Sequence, residues 1–238
     1  MTTTGTATFN LNLNELVEEA FERCGAELRT GYDLRTARRS LNLLTIEWAN
    51  RGINLWTIDQ GSIAMVQGTI TYDLPIDTID LLEQVIRTNA GTSSNQLDIN
   101  INRISADTYI TIPNKNAQGR PIQVWINRQS GATKPNTGVA YPQINVWPAP
   151  DQSNYYTFFY YRLRRIQDAG DGLNTQDIPF RFLPCMVAGL AYYLSLKLPG
   201  ATERTGMLKQ MYDEAWQQAA DEDREKAPLR IAPRQMFI

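Results

Sequence analysis

Several groups of residues in this chain have types and spacings that could do chemistry. Asp221, Glu222, Asp223 and Glu225 form an acidic run that could receive a cation. Asp168 and Asp171, with their glycines in the segment DAGDG, resemble a fragment of a calcium loop. Glu47 beside Trp48, or Asp73 with Asp77, could supply the acid and partner carboxylate of a hydrolase. The segment YYTFFYYRLRR, Tyr155 to Arg165, sets aromatics beside arginines, as proteins that stack single-stranded bases do.

Each group also has a plainer reading. A helix turns successive carboxylates to different sides, so the acidic run reads as a solvated helix end. DAGDG lacks the spacing and closing glutamate of a calcium loop and reads as a turn. Nothing in the spacing of Glu47, Asp73 or Asp77 selects an acid pair. Large aromatics usually fill cores, so the Tyr155 segment predicts a strand covered on both faces, with Tyr155, Phe159 and Tyr161 on one and Tyr156, Phe158 and Tyr160 on the other.

Composition narrows the classes further. The 238 residues contain no histidine, which removes the commonest general base and the centre of Ser-His-Asp and Cys-His sites. With only two cysteines, Cys24 and Cys185, a tetrahedral zinc site has no ligand set, and a reducing compartment is expected. No phosphate-cradling glycine loop is visible. The expectation is a non-enzyme without cofactor or metal. A net charge of −2 argues against a protein whose main task is gripping phosphates. The first residues show no signal peptide, and the apolar run Phe182 to Leu196 is shorter than the ~20 residues of a membrane span, so a soluble product off the membrane is expected.

The elements that must position these residues are helices at both ends and strands between. Asn12 and Glu15 make a capping box for a helix with the stripe Leu13, Leu16, Ala20, Cys24. Asp33 can cap a second helix with the stripe Leu34, Ala37, Leu41, Leu44, Trp48, ending at Gly52. From Leu55 onward the signals become strands: IAMV and TITY flank Gln67-Gly68 as in a hairpin, Ile122, Val124 and Ile126 alternate with Gln123, Trp125 and Asn127, and Ile144 and Val146 with Gln143 and Asn145. Arg103 to Ile110 reads as a short helix among the strands. An apolar helix containing Pro184 and a charged helix from Thr202 to Lys226 follow.

The predicted fold class is therefore α+β. Helix pairs at 1–54 and 167–227 form a four-helix bundle, an antiparallel β-rich insert occupies 55–166, and an extended tail runs through 228–238. Pro228 and Pro233 keep that tail from continuing as helix. Its apolar residues and arginines suit docking on a partner: Leu229, Arg230, Ile231, Arg234, Met236, Phe237 and Ile238. The polar loops 113–120 and 130–138, with Asn114, Lys115, Asn116, Arg120, Lys134 and Asn136, are expected to face a partner or a neighbouring copy.

The segments DLRTARRSLNLLTIEWANRGINLW, with the following TYDLP, and RFLPCMVAGLAYYLSLKLPG, with the charged helix after it, resemble podovirus-type phage head-to-tail adaptors. These are also called tail tubular protein A, gatekeeper or portal-connector proteins. The resemblance runs in order along nearly the whole chain. It implies a structural virion protein, assembled in the host cytoplasm, that forms a ring (typically a dodecamer) between the portal protein and the tail nozzle protein. The genome would pass through without sequence-specific binding, and tail fibres are a further implied partner. On this reading the tail docks on the portal, and the loops face the nozzle or a neighbour. Two alternatives stand beside it: a tail-associated, carboxylate-based cell-wall hydrolase, and a β-rich fibre-docking or attachment protein.

Overall fold

The computed structural model describes residues 3–29, 31–52, 55–128, 133–134 and 138–223, with 133–134 and 138–139 described by backbone alone. In chain order the elements are α1 (Leu13–Cys24), α2 (Gly31–Asn50), β1 (Ile58–Ala64), β2 (Thr71–Asp73), β3 (Thr78–Thr88), β4 (Leu97–Asn100) and β5 (Asn102–Ile104). They continue with α3 (Ala106–Ile110), β6 (Gln123–Asn127), β7 (Thr133–Lys134), β8 (Gly138–Val139), β9 (Gln143–Trp147), β10 (Tyr156–Arg164), α4 (Leu183–Ser195) and α5 (Thr205–Glu222). The chain divides into a helical unit, residues 1–55 with 167–238, and a β unit, residues 56–166.

In the helical unit α1 begins with the capping box expected of it. Asn12 Oδ1 accepts from Glu15 N at 3.0 Å, and Glu15 Oε2 accepts from Asn12 N at 3.0 Å. Leu13, Leu16, Ala20 and Cys24 are buried along one stripe. α2 departs from expectation at its start. It is already helical at Gly31, so Asp33 lies within the first turn instead of capping it. There its carboxylate accepts from Arg29 N at 3.4 Å and faces the positive end of the helix dipole.

The mixed α+β class holds, but the expected four-helix bundle does not. The helices come from chain segments separated by the β insert, and α4 acts as a hub against which α1, α2 and α5 pack. The reason is compositional. α4 is apolar nearly all round, with Leu183, Met186, Val187, Leu190, Ala191 and Leu194 all buried, so it needs neighbours on every side. The other helices offer one stripe each. Gly189 is the point of closest approach: a Cβ there would lie 2.9 Å from Leu44 and from the Tyr212 ring. On α5 the buried side is Leu208, Tyr212 and Ala219, while Met211 is exposed.

The β unit has two four-stranded sheets, β1-β10-β3-β4 and β2-β9-β6-β5, and a two-stranded ladder of β7 with β8. Their inward faces supply one core that includes Leu81, Ile86 and Phe158 from the first sheet and Tyr72, Val124, Ile126, Ile144 and Val146 from the second. A bulge in β3 maintains this. The register skips Leu82 opposite Tyr161 and Arg162, so Leu81 and Ile86 can both face inward.

Two expectations for the insert fail. The turn at Gln67-Gly68 forms, with Gly68 at φ +72, but it does not close a hairpin. β1 pairs with β10 and β2 with β9, so the turn is a crossing between sheets. The insert is also not wholly antiparallel, because β5 runs parallel to β6. A parallel neighbour needs a crossover, and the segment from Ser105 through α3 to Ile122 provides it.

Candidate interaction surfaces

The aromatic strand β10 is mostly scaffold. Tyr156, Phe158, Tyr160 and Arg162 point to the buried face. The opposite face is only partly covered, with Tyr161 48% exposed, so the expected double cover is not found. A stacking surface is nonetheless already occupied there. The Arg87 guanidinium lies 3.9 Å from the centre of the Phe159 ring, and it is paired to Asp98 through Nε–Oδ1 and Nη2–Oδ2 bonds of 2.7 and 2.8 Å. That pair holds the Asp98 carboxyl below the usual carboxylate range. Arg162 is also engaged: it donates to Asp77, to Asp59 at 3.0 Å and to Thr78 Oγ1 at 3.0 Å. These two guanidiniums are tied to carboxylates and so are taken from a phosphate backbone.

The carboxylates read from sequence are likewise taken. Glu47 Oε2 accepts from the Tyr193 hydroxyl at 2.6 Å, Oε1 accepts from Tyr212 at 3.3 Å, and Arg51 forms an ion pair with it. Trp48 Nε1 donates to the Tyr212 hydroxyl at 3.0 Å. Burial first, and then the Glu47 carboxylate, pushes the Tyr193 phenol up to about 12. Burial drives Tyr212 higher. The cluster joins α2, α4 and α5, with neutral donors and the Arg51 guanidinium around one anion, a pin for the helices. Asp73 accepts from Gln143 Nε2 at 2.7 Å, and Asp77 is bound to Arg162, so each has its own partner and they do not form an acid pair.

In the acidic run, Glu222 pairs with Arg181 at 3.1 Å and Asp223 accepts from Leu55 N at 3.5 Å; Glu225 lies outside the described residues. Asp171 pairs with Arg38 at 3.3 Å, and its N–H donates to Asn174 Oδ1 at 2.7 Å, which is the geometry of a turn. Among the described residues no group of three or more His, Cys, Asp or Glu side chains could hold a metal. Cys24 and Cys185 are buried free thiols, and burial pushes them up to about 11 and about 12. Deep burial and a raised thiol make them packing residues and poor nucleophiles.

The loop at 113–120 is exposed but firmly built. Asn114 O accepts from Trp147 Nε1 at 2.9 Å, Lys115 Nζ donates to Ile110 O and Ile112 O at 3.2 and 3.1 Å, and Asn116 N donates to Asn114 Oδ1 at 3.1 Å. Gly119 N and Ala149 O meet at 2.8 Å, and Ala149 N and Ala117 O at 2.9 Å, which closes the loop against the chain after β9. Asn114, Asn116 and Arg120 are exposed, and Lys115 is half-buried over the Tyr109 ring, which itself stacks on Trp125. Ile110 stands beside them 73% exposed. The surface presents amides and a guanidinium on a rigid base.

The backbone of Lys134 lies in β7, while its side chain and Asn136 lie outside the described residues. So do Leu229, Arg230, Ile231, Arg234, Met236, Phe237 and Ile238. One further surface belongs to the helical unit and is absent from the candidates above: Glu15, Glu18 and Glu22 form an exposed acidic face of α1. Their i, i+3, i+7 spacing is its signal.

The decisive comparison covers both units at once. The model of the SU10 adaptor protein family matches residues 11–232. The chain belongs to the SU10 adaptor protein family. Membership indicates a phage head-to-tail adaptor, a structural protein of the virion, and the family is not known as one of enzymes. No curated protein matches the chain in sequence. No helix among the described residues of this adaptor is long and apolar enough to cross a membrane.

Proposed function

We propose that this adaptor forms a ring between the portal protein and the tail nozzle, through which the genome passes. The observation that carries the reading is the extent of the family match, which takes in the helical unit and the β unit together. In this reading the segment Leu229 to Ile238 docks on the portal, burying apolar side chains while Arg230 and Arg234 meet acids. The exposed Asn114, Asn116 and Arg120, with Lys115, Lys134 and Asn136, face the nozzle or the next copy. A net charge of −2 supports a conduit, since a strongly basic bore would hold DNA by counterion release. The test is negative-stain microscopy of the purified chain with and without its portal. Rings stacked on portals are expected, and portals that stay undecorated at saturating chain would overturn the reading.

A further inference from the structure

The helical unit carries an apolar groove of about 830 Å³ between the chain leading into α1, α1 itself and the start of α4. Its floor includes Leu183 and Val187, and two aromatics stand open at it, Phe9 at 76% and Phe180 at 71% exposure. Rings this exposed leave a large apolar surface facing water. The rim is acidic. Glu15 is engaged in the capping box and Glu19 is paired with Arg23 at 2.9 Å, but Glu18 and Glu22 have no cation against them among the described residues. They lie one turn apart on α1, where like charges repel.

We propose that this groove is the receptor for the chain's own segment Leu229–Ile238, docked within the same subunit before it meets a partner. Two further observations select that occupant. The first is where the described chain ends: Glu222, at the end of α5, is paired with Arg181, and Arg181 directly follows the groove residue Phe180. The described chain therefore ends beside the groove. The five residues from Arg224 to Pro228 can span at most ~17 Å, and the segment after them ~35 Å, against the ~10 Å of helix between Glu15 and Glu22. The reach is ample. The second is complementarity. Beyond Glu225 the side chains carry positive charge only, at Lys226, Arg230 and Arg234, spaced among Leu229, Ile231, Met236 and Phe237. Apolar groups meet the floor, and the arginines meet Glu18 and Glu22. Tethering supplies a millimolar effective concentration, so a contact that is weak between separate molecules is populated within one.

This docking does not depend on the ring reading, and its test is separate. The full chain is prepared with the photoreactive amino acid benzoylphenylalanine in place of Phe237, irradiated at high dilution, and mapped by mass spectrometry. Adducts at monomer mass, joined to residues 7–23 or 180–187, are expected. Glu18→Lys with Glu22→Lys, both at exposed positions, should cut their yield at least tenfold. Adding Arg230→Glu and Arg234→Glu to that variant should restore it. Adducts at dimer mass would replace the proposal with docking in a second copy. Adducts elsewhere in the chain, none above photolysis background, or a yield indifferent to charge reversal would each overturn it.

Discussion

In the helical unit polar side chains meet as phenols and an indole around one carboxylate, Glu47, with Arg51 closing the cluster. In the β unit they meet as guanidiniums held by aspartates: Arg162 by Asp59 and Asp77, and Arg103 and Arg128 by Asp80. The difference follows from geometry. Three helices can direct side chains from separate turns at one point, so mostly neutral donors can satisfy a single carboxylate that stays 24% exposed. A strand sends alternate side chains straight across its neighbours, so a long arginine reaches the rim, where its aspartates stay partly solvated. One unit is pinned around a shared anion and the other is laced by guanidiniums.

The largest effects should come from the two cores, and they should be alike. Trp48→Ala and Phe158→Ala each remove a fully buried aromatic, and each should cost ~3–5 kcal/mol in urea unfolding. A loss below ~1 kcal/mol from either would break the claim that both units are packed to the same density. Next comes the helical contact at Gly189. Gly189→Ala puts a methyl group 2.9 Å from Leu44 and Tyr212 and should destabilise by ~1–3 kcal/mol, read from the unfolding midpoint.

A smaller loss tests the lacing of the β unit. Arg162→Ala leaves Asp59 and Asp77 unpaired, but these carboxylates are 50% and 40% exposed, so water takes over much of the role of the guanidinium. The expected loss is ~1–2 kcal/mol, well short of that for a fully buried pair. A loss as large as that of Phe158→Ala would give Arg162 the weight of a core residue.

The smallest effect concerns pH, and both units should share in an alkaline loss, since burial also raises Tyr72, Tyr109, Tyr156 and Tyr160 in the β unit. Tyr193 ionises near 10 in the unfolded chain and near 12 in the folded one, because burial and Glu47 both disfavour the phenolate. The folded state therefore holds this proton more tightly. Its contribution is complete below pH 10 and is lost as pH rises to about 12. Tyr212, and Cys24 and Cys185 from their ordinary value near 9, act in the same direction. In the β unit the lowered Asp98 works oppositely, with stability lost as pH falls below the carboxylate range. Tyr193→Phe should flatten the alkaline loss when urea midpoints are compared on either side of that window. An unchanged slope would mean that the phenol is not held by Glu47.

The sequence by itself determined features that depend on near neighbours in the chain. The capping box of Asn12 and Glu15, the buried stripes of α1 and α2, the inward Val124 and Ile126, and the all-round burial of α4 are set by spacing, because backbone geometry turns spacing directly into a face. The turn at Gln67-Gly68 was legible for the same reason. Its partners were not. Which strands β1 and β2 would pair with depended on β9 and β10, far along the chain, and those pairings were decided by closing one core from both sheets. Glu47 could be seen as a carboxylate beside a tryptophan, yet its role as a pin depended on Tyr193 and Tyr212 arriving from α4 and α5. Arg162 looked like a phosphate ligand until Asp59 and Asp77 came within reach. The acidic face of α1 was present in the letters, but only the tertiary structure set Phe9, Phe180 and Val187 beside it and made the face the rim of a groove. Local spacing fixes which side of an element is apolar. What that side meets is decided by contacts between residues distant in sequence, which only the closed core brings together.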